Sequence, residues 1–76
     1  MDRLKELNQL FKELFNNQDI IIEIDTMQGD LPEWDSIGQM DIIRAIEEKY
    51  AIDIPFEDQF EMDNVHQIIQ VIEKLI

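Results

Sequence analysis

Residues 31–43, which read Leu-Pro-Glu-Trp-Asp-Ser-Ile-Gly-Gln-Met-Asp-Ile-Ile, join a proline-containing loop to the clearest helical pattern of the chain. Ser36 opens this helix and is the only serine in the sequence. The first turn of a helix has unpaired N–H groups and a positive dipole, which favour an anion such as a phosphate. The simpler interpretation is that Asp35 or Ser36 only caps the helix. Residues elsewhere must decide between the two interpretations.

The apolar residues on either side of this stretch recur at helical spacing. They predict an all-α fold, a small four-helix bundle with three main helices, one short helix and a long loop between helices one and two. Helix one is expected over Met1–Phe15, and helix two over Ser36–Tyr50 with a core stripe of Ile42, Ile43, Ile46 and Tyr50. A short helical turn is expected over Phe56–Phe60, with both phenylalanines buried. A last helix, capped by Asp63 or Asn64, is expected to carry Val65, Ile68, Ile69, Ile72 and Ile76. The turn residues 16–19 are expected to end helix one.

The connection between helices one and two combines a β-branched segment with a long loop. Residues Ile20–Ile24 have strand propensity, but no other stretch offers a partner strand. We therefore expect an extended or partly helical segment whose isoleucines cover a helical core. In the following loop, residues 25–35, we expect Met27, Leu31 and Trp34 to anchor the chain to the core.

Composition and charge limit the class of protein. The chain has 76 residues, 45% of them hydrophobic, which predicts a single domain over residues 1–76. Without cysteine, a signal peptide or a membrane-spanning apolar run, we expect a cytoplasmic protein. The first 15 residues are neutral, so the net charge of −12 lies in the remainder. This charge disfavours nucleic acid and anionic membranes and favours partners with basic patches.

The outer face of helix two carries both apolar and charged side chains. Successive residues of a helix are rotated by 100° about its axis. This rotation places four residues on one side of helix two, Ile37, Asp41, Arg44 and Glu48, with Met40 and Glu47 at the edge of that side. Exposed apolar residues among carboxylates indicate a docking surface, since apolar contact gives affinity and charge gives steering. The alternative is that Ile37 and Met40 contact the long loop as ordinary core residues.

The sequence offers little for catalysis or metal binding. A hydrolase would need Ser36 to meet the single histidine, His66, which is more often a surface residue. Zinc ligands are too few, and the acidic stretch 57–63 lacks the spacing and glycine of a calcium loop. We therefore expect no metal and no enzyme, but a carrier or an adaptor.

The segment Trp34–Met40, with Glu47-Glu48-Lys49-Tyr50 after it, resembles the phosphopantetheine attachment region of acyl carrier proteins. The resemblance extends over nearly the whole chain. It implies that Ser36 carries a covalent 4′-phosphopantetheine donated by coenzyme A and that Asp35 is the aspartate of the motif. The surface of helix two would then dock partner enzymes through Ile37, Met40, Asp41, Arg44, Glu47 and Glu48.

By this resemblance the protein carries an acyl or aminoacyl group as a thioester. Its partners would be a phosphopantetheinyl transferase and acyl-loading and acyl-processing enzymes with basic docking patches, and the carrier would be a monomer. Gly38 and Trp34 depart from the pattern of general fatty acid synthesis and are more similar to stand-alone carriers of specialised pathways. Two alternatives are an acidic helical adaptor without a cofactor and a small hydrolase using Ser36 and His66.

Overall fold

The computed structural model describes residues 2–76, which form four helices connected by loops. The helices are α1 (Arg3–Leu14), α2 (Ser36–Tyr50), α3 (Phe56–Gln59) and α4 (Val65–Leu75). The expected all-α fold of three main helices and one short one is confirmed, as is the long loop after α1. The predicted start of helix one at Met1 lies outside the described residues. No helix of the described range has the length and apolarity needed to span a membrane.

Polar side chains fix the ends of the helices. Asp2 is the N-cap of α1 and accepts hydrogen bonds from the backbone N–H groups of Leu4 and Lys5. Beyond the helix, Asn16 adopts the left-handed conformation (φ 50°) and the N–H of Asn17 bonds to the carbonyl of Lys12 at 3.0 Å. Asparagine tolerates this conformation, so the predicted turn after the first helix is confirmed.

The core lies where α1, α2 and α4 face one another. Ile42 and Ile46 of α2 are fully buried, whereas Ile43 and Tyr50, which we expected beside them, are only partly buried. The largest fully buried side chains come from all three helices and the connecting loops: Leu7, Phe11, Ile22, Trp34, Ile42, Ile46, Met62, Val65, Ile68 and Ile72. Burial of each aliphatic side chain contributes about 1.5–3 kcal/mol, so this cluster is the main source of stability.

The isoleucine segment forms neither a helix nor a strand, and only part of it faces the core. Ile20 and Ile22 are buried, while Ile21 and Ile24 are exposed. Asn8 of α1 replaces the missing partner strand: its amide donates to the carbonyl of Ile22 at 3.0 Å and its oxygen accepts the N–H of Ile22 at 2.8 Å. Lys12 donates to the carbonyl of Ile20. Two side chains of α1 therefore satisfy backbone groups that a sheet would otherwise pair.

The loop that follows is held by α4 and by two of its three expected anchors. Trp34 is fully buried and Leu31 partly buried, but Met27 is 49% exposed, so its prediction as an anchor is wrong. Its backbone instead forms an isolated antiparallel bridge with Asn64. The bonds on either side run from Gln28 N–H to the Asp63 carbonyl (2.8 Å) and from Val65 N–H to the Thr26 carbonyl (2.9 Å).

The side of helix α3 that faces the core differs from the sequence prediction. Phe56 and Phe60 are 70% and 72% exposed, although both were expected to be buried. The buried residue of this helix is Asp58, which bonds to Lys74 of α4. Positions 56 and 60 lie one turn apart on one side of a helix, and position 58 lies on the other. Because the ion pair turns Asp58 inward, both aromatic rings face outward.

A polar cluster joins the start of α1 to the end of α2. Glu6 accepts hydrogen bonds from the Tyr50 hydroxyl and from Arg3, each at 2.7 Å, and the Arg3 guanidinium lies 5.1 Å from the centre of the Tyr50 ring. The Tyr50 hydrogen bond, followed by Arg3, holds the pKa of Glu6 below its ordinary value. Burial raises the pKa of Tyr50, which therefore remains a neutral donor.

Replacing Asn8 by alanine tests whether this side chain substitutes for a strand. Asn8→Ala leaves the partly buried N–H and carbonyl of Ile22 without these partners, so we expect a loss of about 1–3 kcal/mol in the free energy of unfolding. Urea unfolding followed by circular dichroism measures it. Gln9→Ala, which removes an exposed bond to Glu13 on the same helix, is the control. Equal stability of the two variants would contradict the role of Asn8.

Candidate functional site

Ser36 is the first residue of α2 and is exposed. The helix is capped by Asp35, whose carboxylate accepts the N–H of Gly38 at 2.7 Å. The Asp35 carbonyl accepts the N–H of Gln39 at 2.8 Å and so begins the helical pattern. The cap is therefore Asp35, and the Ser36 hydroxyl has no hydrogen-bond partner among residues 2–76. It is an accessible nucleophile at the end of a helix.

The electrostatics of this helix start favour an anion. Apart from the carboxylate of the capping Asp35, the first turn of α2 carries no acidic residue, although the chain as a whole is strongly acidic. Its backbone N–H groups and the helix dipole give the N-terminus a partial positive charge. A phosphate esterified to the Ser36 oxygen would lie beside this charge. The residues present fit such a group.

Gly38 is needed because α2 begins very close to the preceding loop. A Cβ atom at this position would lie 2.0 Å from the carbonyl oxygen of Glu33, well inside van der Waals contact. Glycine removes that clash and lets the Glu33 backbone approach the first turn of the helix. The close approach of the loop to the start of α2 therefore depends on glycine at position 38, which has no side chain.

Trp34 and Gln39 connect the loop to two helices and to the α3–α4 link. The indole N–H of Trp34 donates to the side-chain oxygen of Gln39, and the Gln39 amide donates to the carbonyl of Met62 at 2.7 Å. The Trp34 ring packs edge-on against Phe11 of α1, with 5.2 Å between ring centres. The loop is fixed on both sides of the attachment candidate, since Trp34 precedes Ser36 by two residues and Gln39 follows it by three.

The outer face of α2 is exposed where the docking interpretation requires it. Ile37 and Met40 are 71% and 61% exposed, which excludes the alternative that they are core residues beneath the loop. Met40, Arg44 and Glu47 line a groove of about 180 Å³ that reaches Gln59 of α3.

The structure does not bring all of the predicted docking residues together. Glu48 lines a different groove of about 410 Å³ between α1 and α2, with Leu10 and Leu14 in its wall. Asp41 is partly buried. The carboxylate of Glu47 accepts the N–H of Ile54 at 2.9 Å, so this residue also fixes the segment that leaves α2.

The described residues do not form a catalytic or metal-binding cluster with Ser36. His66 is exposed on α4, and its ring nitrogen lies 3.0 Å from the amide of Gln70 on the same helix. Within residues 2–76, no group of three or more histidine, aspartate or glutamate side chains could hold a metal ion. The Ser36–His66 hydrolase interpretation therefore has no geometric support.

Sequence reasoning missed the roles of Gly38, Gln39 and Asn8. A glycine within the first turn of a helix is a signal of close backbone approach. An asparagine beside the apolar stripe of α1 likewise indicates a buried polar contact. The partner atoms of Gln39 are 5 and 23 residues away, and no local pattern identifies the second of them.

Comparison with known proteins agrees with this geometry. The family described as phosphopantetheine attachment site matches residues 33–72, more than half of the chain. The protein is thus one of the small helical carriers that bear a prosthetic arm. The chain belongs to the phosphopantetheine attachment site family.

A solved structure supports the same conclusion for the fold. The chain is similar to the solution NMR structure of holo acyl carrier protein from Geobacter metallireducens, with a TM-score of 0.86 and 26% identity. The match covers 97% of this chain and 85% of that one. No curated protein matches the sequence significantly.

Membership of this family establishes the class of activity. The protein carries a covalently attached 4′-phosphopantetheine and is a carrier, not an enzyme. This assignment rejects both alternative interpretations, the adaptor without a cofactor and the small hydrolase. The arm supplies the thiol that a chain without cysteine lacks.

The Gly38→Ala variant tests the close approach of Glu33 to α2. Alanine normally stabilises a helix relative to glycine by about 0.5–1 kcal/mol. Here the added Cβ would displace the Glu33 backbone, so we expect a net loss of about 1–3 kcal/mol instead. Thermal and urea unfolding measure the sign of the change. A stabilised variant would show that the loop moves away without cost.

Proposed function

We propose that Ser36 is the attachment residue and that the protein is an acyl carrier. The observation that supports this proposal most directly is the exposed, unbonded Ser36 hydroxyl directly after the capping Asp35. The holo acyl carrier protein that the chain resembles supports an acyl cargo. Once loaded, the arm presents its thiol for thioester formation, which keeps the carbonyl group of the cargo activated for transfer.

Apart from Ser36, whose oxygen would form the phosphodiester, the residues of the chain position this chemistry without taking part in bond making. Asp35 caps α2 and leaves the Ser36 hydroxyl accessible to a transferase. The helix N-terminus stabilises the phosphodiester that results. Trp34 and Gln39 hold the loop, so the attachment point is presented on a rigid element.

The outer face of α2 is the proposed docking surface for partner enzymes. It combines exposed Ile37 and Met40 with Asp41, Arg44 and Glu47 around or beside the groove, and with Glu48 on the neighbouring side. We infer that the phosphopantetheinyl transferase and the acyl-loading and acyl-processing enzymes present basic patches to it. Steering by charge and a small apolar contact give fast, reversible binding, which a shuttle between enzymes requires.

We further propose a pathway class and a location. The resemblance of Trp34 and Gly38 to residues of stand-alone carriers supports a carrier of a specialised pathway. Because the arm derives from coenzyme A, we place the protein in the cytoplasm. We propose that residues 1–76 act as one monomeric carrier domain, since two chains that each carry a net charge of −12 repel each other.

Intact-mass measurement tests the attachment site. Purified protein incubated with coenzyme A and a broad-specificity phosphopantetheinyl transferase is expected to gain one phosphopantetheine, and Ser36→Ala none. Thr26→Ala, which removes a different hydroxyl, is the control and should be modified as the wild type is. Modification of Ser36→Ala would assign the arm to another residue, and an unmodified wild type would contradict the proposal as a whole.

Charge reversal tests the docking face. Asp41→Lys combined with Glu48→Lys is expected to slow loading at low salt by roughly tenfold or more, because it opposes steering toward a basic partner. The matched control is Asp19→Lys with Glu23→Lys, the same change of charge on exposed positions away from α2. Equal slowing in both variants would show that overall charge, not this face, governs docking.

A further inference from the structure

Helix α3 has its polar and apolar sides reversed with respect to the core. Its carboxylate Asp58 is 8% exposed, while Phe56 and Phe60 are 70% and 72% exposed. The two rings pack edge to face with 4.8 Å between their centres and an interplanar angle of 72°. The pair forms one aromatic surface, and it stands apart from the cluster of buried residues that forms the core.

This orientation is fixed by bonds on the inner side of α3. Lys74 of α4 donates to both oxygens of Asp58, at 2.9 and 2.8 Å, and Gln59 donates to the carbonyl of Ile54 at 3.1 Å. The Asp58 carboxylate raises the pKa of Lys74, which keeps the lysine charged. Rotation of α3 to bury the phenylalanines would break this ion pair, in which Asp58 is buried and Lys74 is largely exposed. The aromatic surface is therefore held toward solvent.

The charges beside the aromatic surface define what can cover it. Glu57 and Glu61 each follow one of the two phenylalanines directly and are exposed, as is Asp53, three residues before Phe56. The cation from α4, Lys74, is already bonded to Asp58. An anionic membrane or a second copy of this acidic chain would bring like charges together at this point. The complementary surface is an apolar pocket rimmed by lysine or arginine.

Helix α3 adjoins the docking face of α2. Gln59, which lies between the two phenylalanines in sequence, lines the same groove as Met40 and Arg44. Met40 is one helical turn from Ser36. An enzyme that reaches the Ser36 hydroxyl across α2 would meet α3 on the far side of this groove.

We propose that Phe56 and Phe60 are a docking surface for the phosphopantetheinyl transferase, inserted into an apolar pocket of that enzyme rimmed by basic residues. This inference rests on the proposed function of Ser36. Aromatic side chains supply large contact areas and dominate the binding energy of many interfaces. Exposed carboxylates on either side select the basic rim and speed the encounter.

Loading kinetics of a double variant test the proposal. Phe56→Gln with Phe60→Gln should raise the KM of the transferase for the carrier by roughly tenfold or more while kcat stays within twofold, since docking but not the Ser36 hydroxyl is changed. Ile21→Gln with Ile24→Gln removes two exposed apolar side chains from another segment and is the control, expected to keep the wild-type KM. Circular dichroism and the melting temperature confirm that both variants fold.

A second double variant tests whether the pocket of the transferase has a basic rim. Glu57→Gln with Glu61→Gln keeps both phenylalanines and removes two of the neighbouring charges. Its kcat/KM should be lower at low salt and should depend less on ionic strength than that of the wild type. An unchanged salt dependence would contradict the charge complementarity.

The outcomes separate this inference from the proposed function. If the wild type is loaded and the phenylalanine variant has the same KM, the aromatic surface is not the docking site although Ser36 still carries the arm. If the wild type is not loaded at all, both proposals fail. Dimerisation in sedimentation experiments, or binding to phosphatidylcholine vesicles, that is lost in the phenylalanine variant would assign the surface to a second copy or to a membrane and overturn the inference.

Discussion

The indole of Trp34 holds the long loop to the helices around it. Its ring packs against Phe11 of α1, and its N–H reaches Gln39 on α2, which in turn bonds to the backbone at Met62. A buried indole N–H without a partner would cost about 1–3 kcal/mol, so Trp34 and Gln39 depend on each other. Because Ser36 lies between them in sequence, this contact fixes the position of the proposed attachment residue.

In the rest of the connection between α1 and α2, a few contacts satisfy backbone groups that a sheet would otherwise pair. Asn8 pairs with both backbone groups of Ile22, and a single bridge between Met27 and Asn64 ties the loop to α4. The chain between α1 and α2 is thereby ordered without a second strand.

The helices were predictable because their apolar spacing is local, and the loop contacts were not. The spacing in residues 36–50 and the Asp35-Ser36 pair identified α2, its start and the candidate attachment residue. Met27 and the phenylalanines of α3 were assigned to the core from hydrophobicity alone. The structure reverses these assignments because Lys74 pairs with Asp58 across 16 residues and because the backbone of Met27, not its side chain, is used. Such choices depend on partners that are distant in sequence.

The burial of Trp34 also makes the carrier its own optical reporter. It is the only tryptophan of the chain, so the intrinsic emission comes from a single known environment, a dry ring beside Phe11 and Gln39. This fluorophore lies two residues from Ser36, the proposed point of modification. Its emission wavelength and quenching by acrylamide therefore report on the junction between the loop and α2 without a label, and also in the presence of any partner that lacks tryptophan.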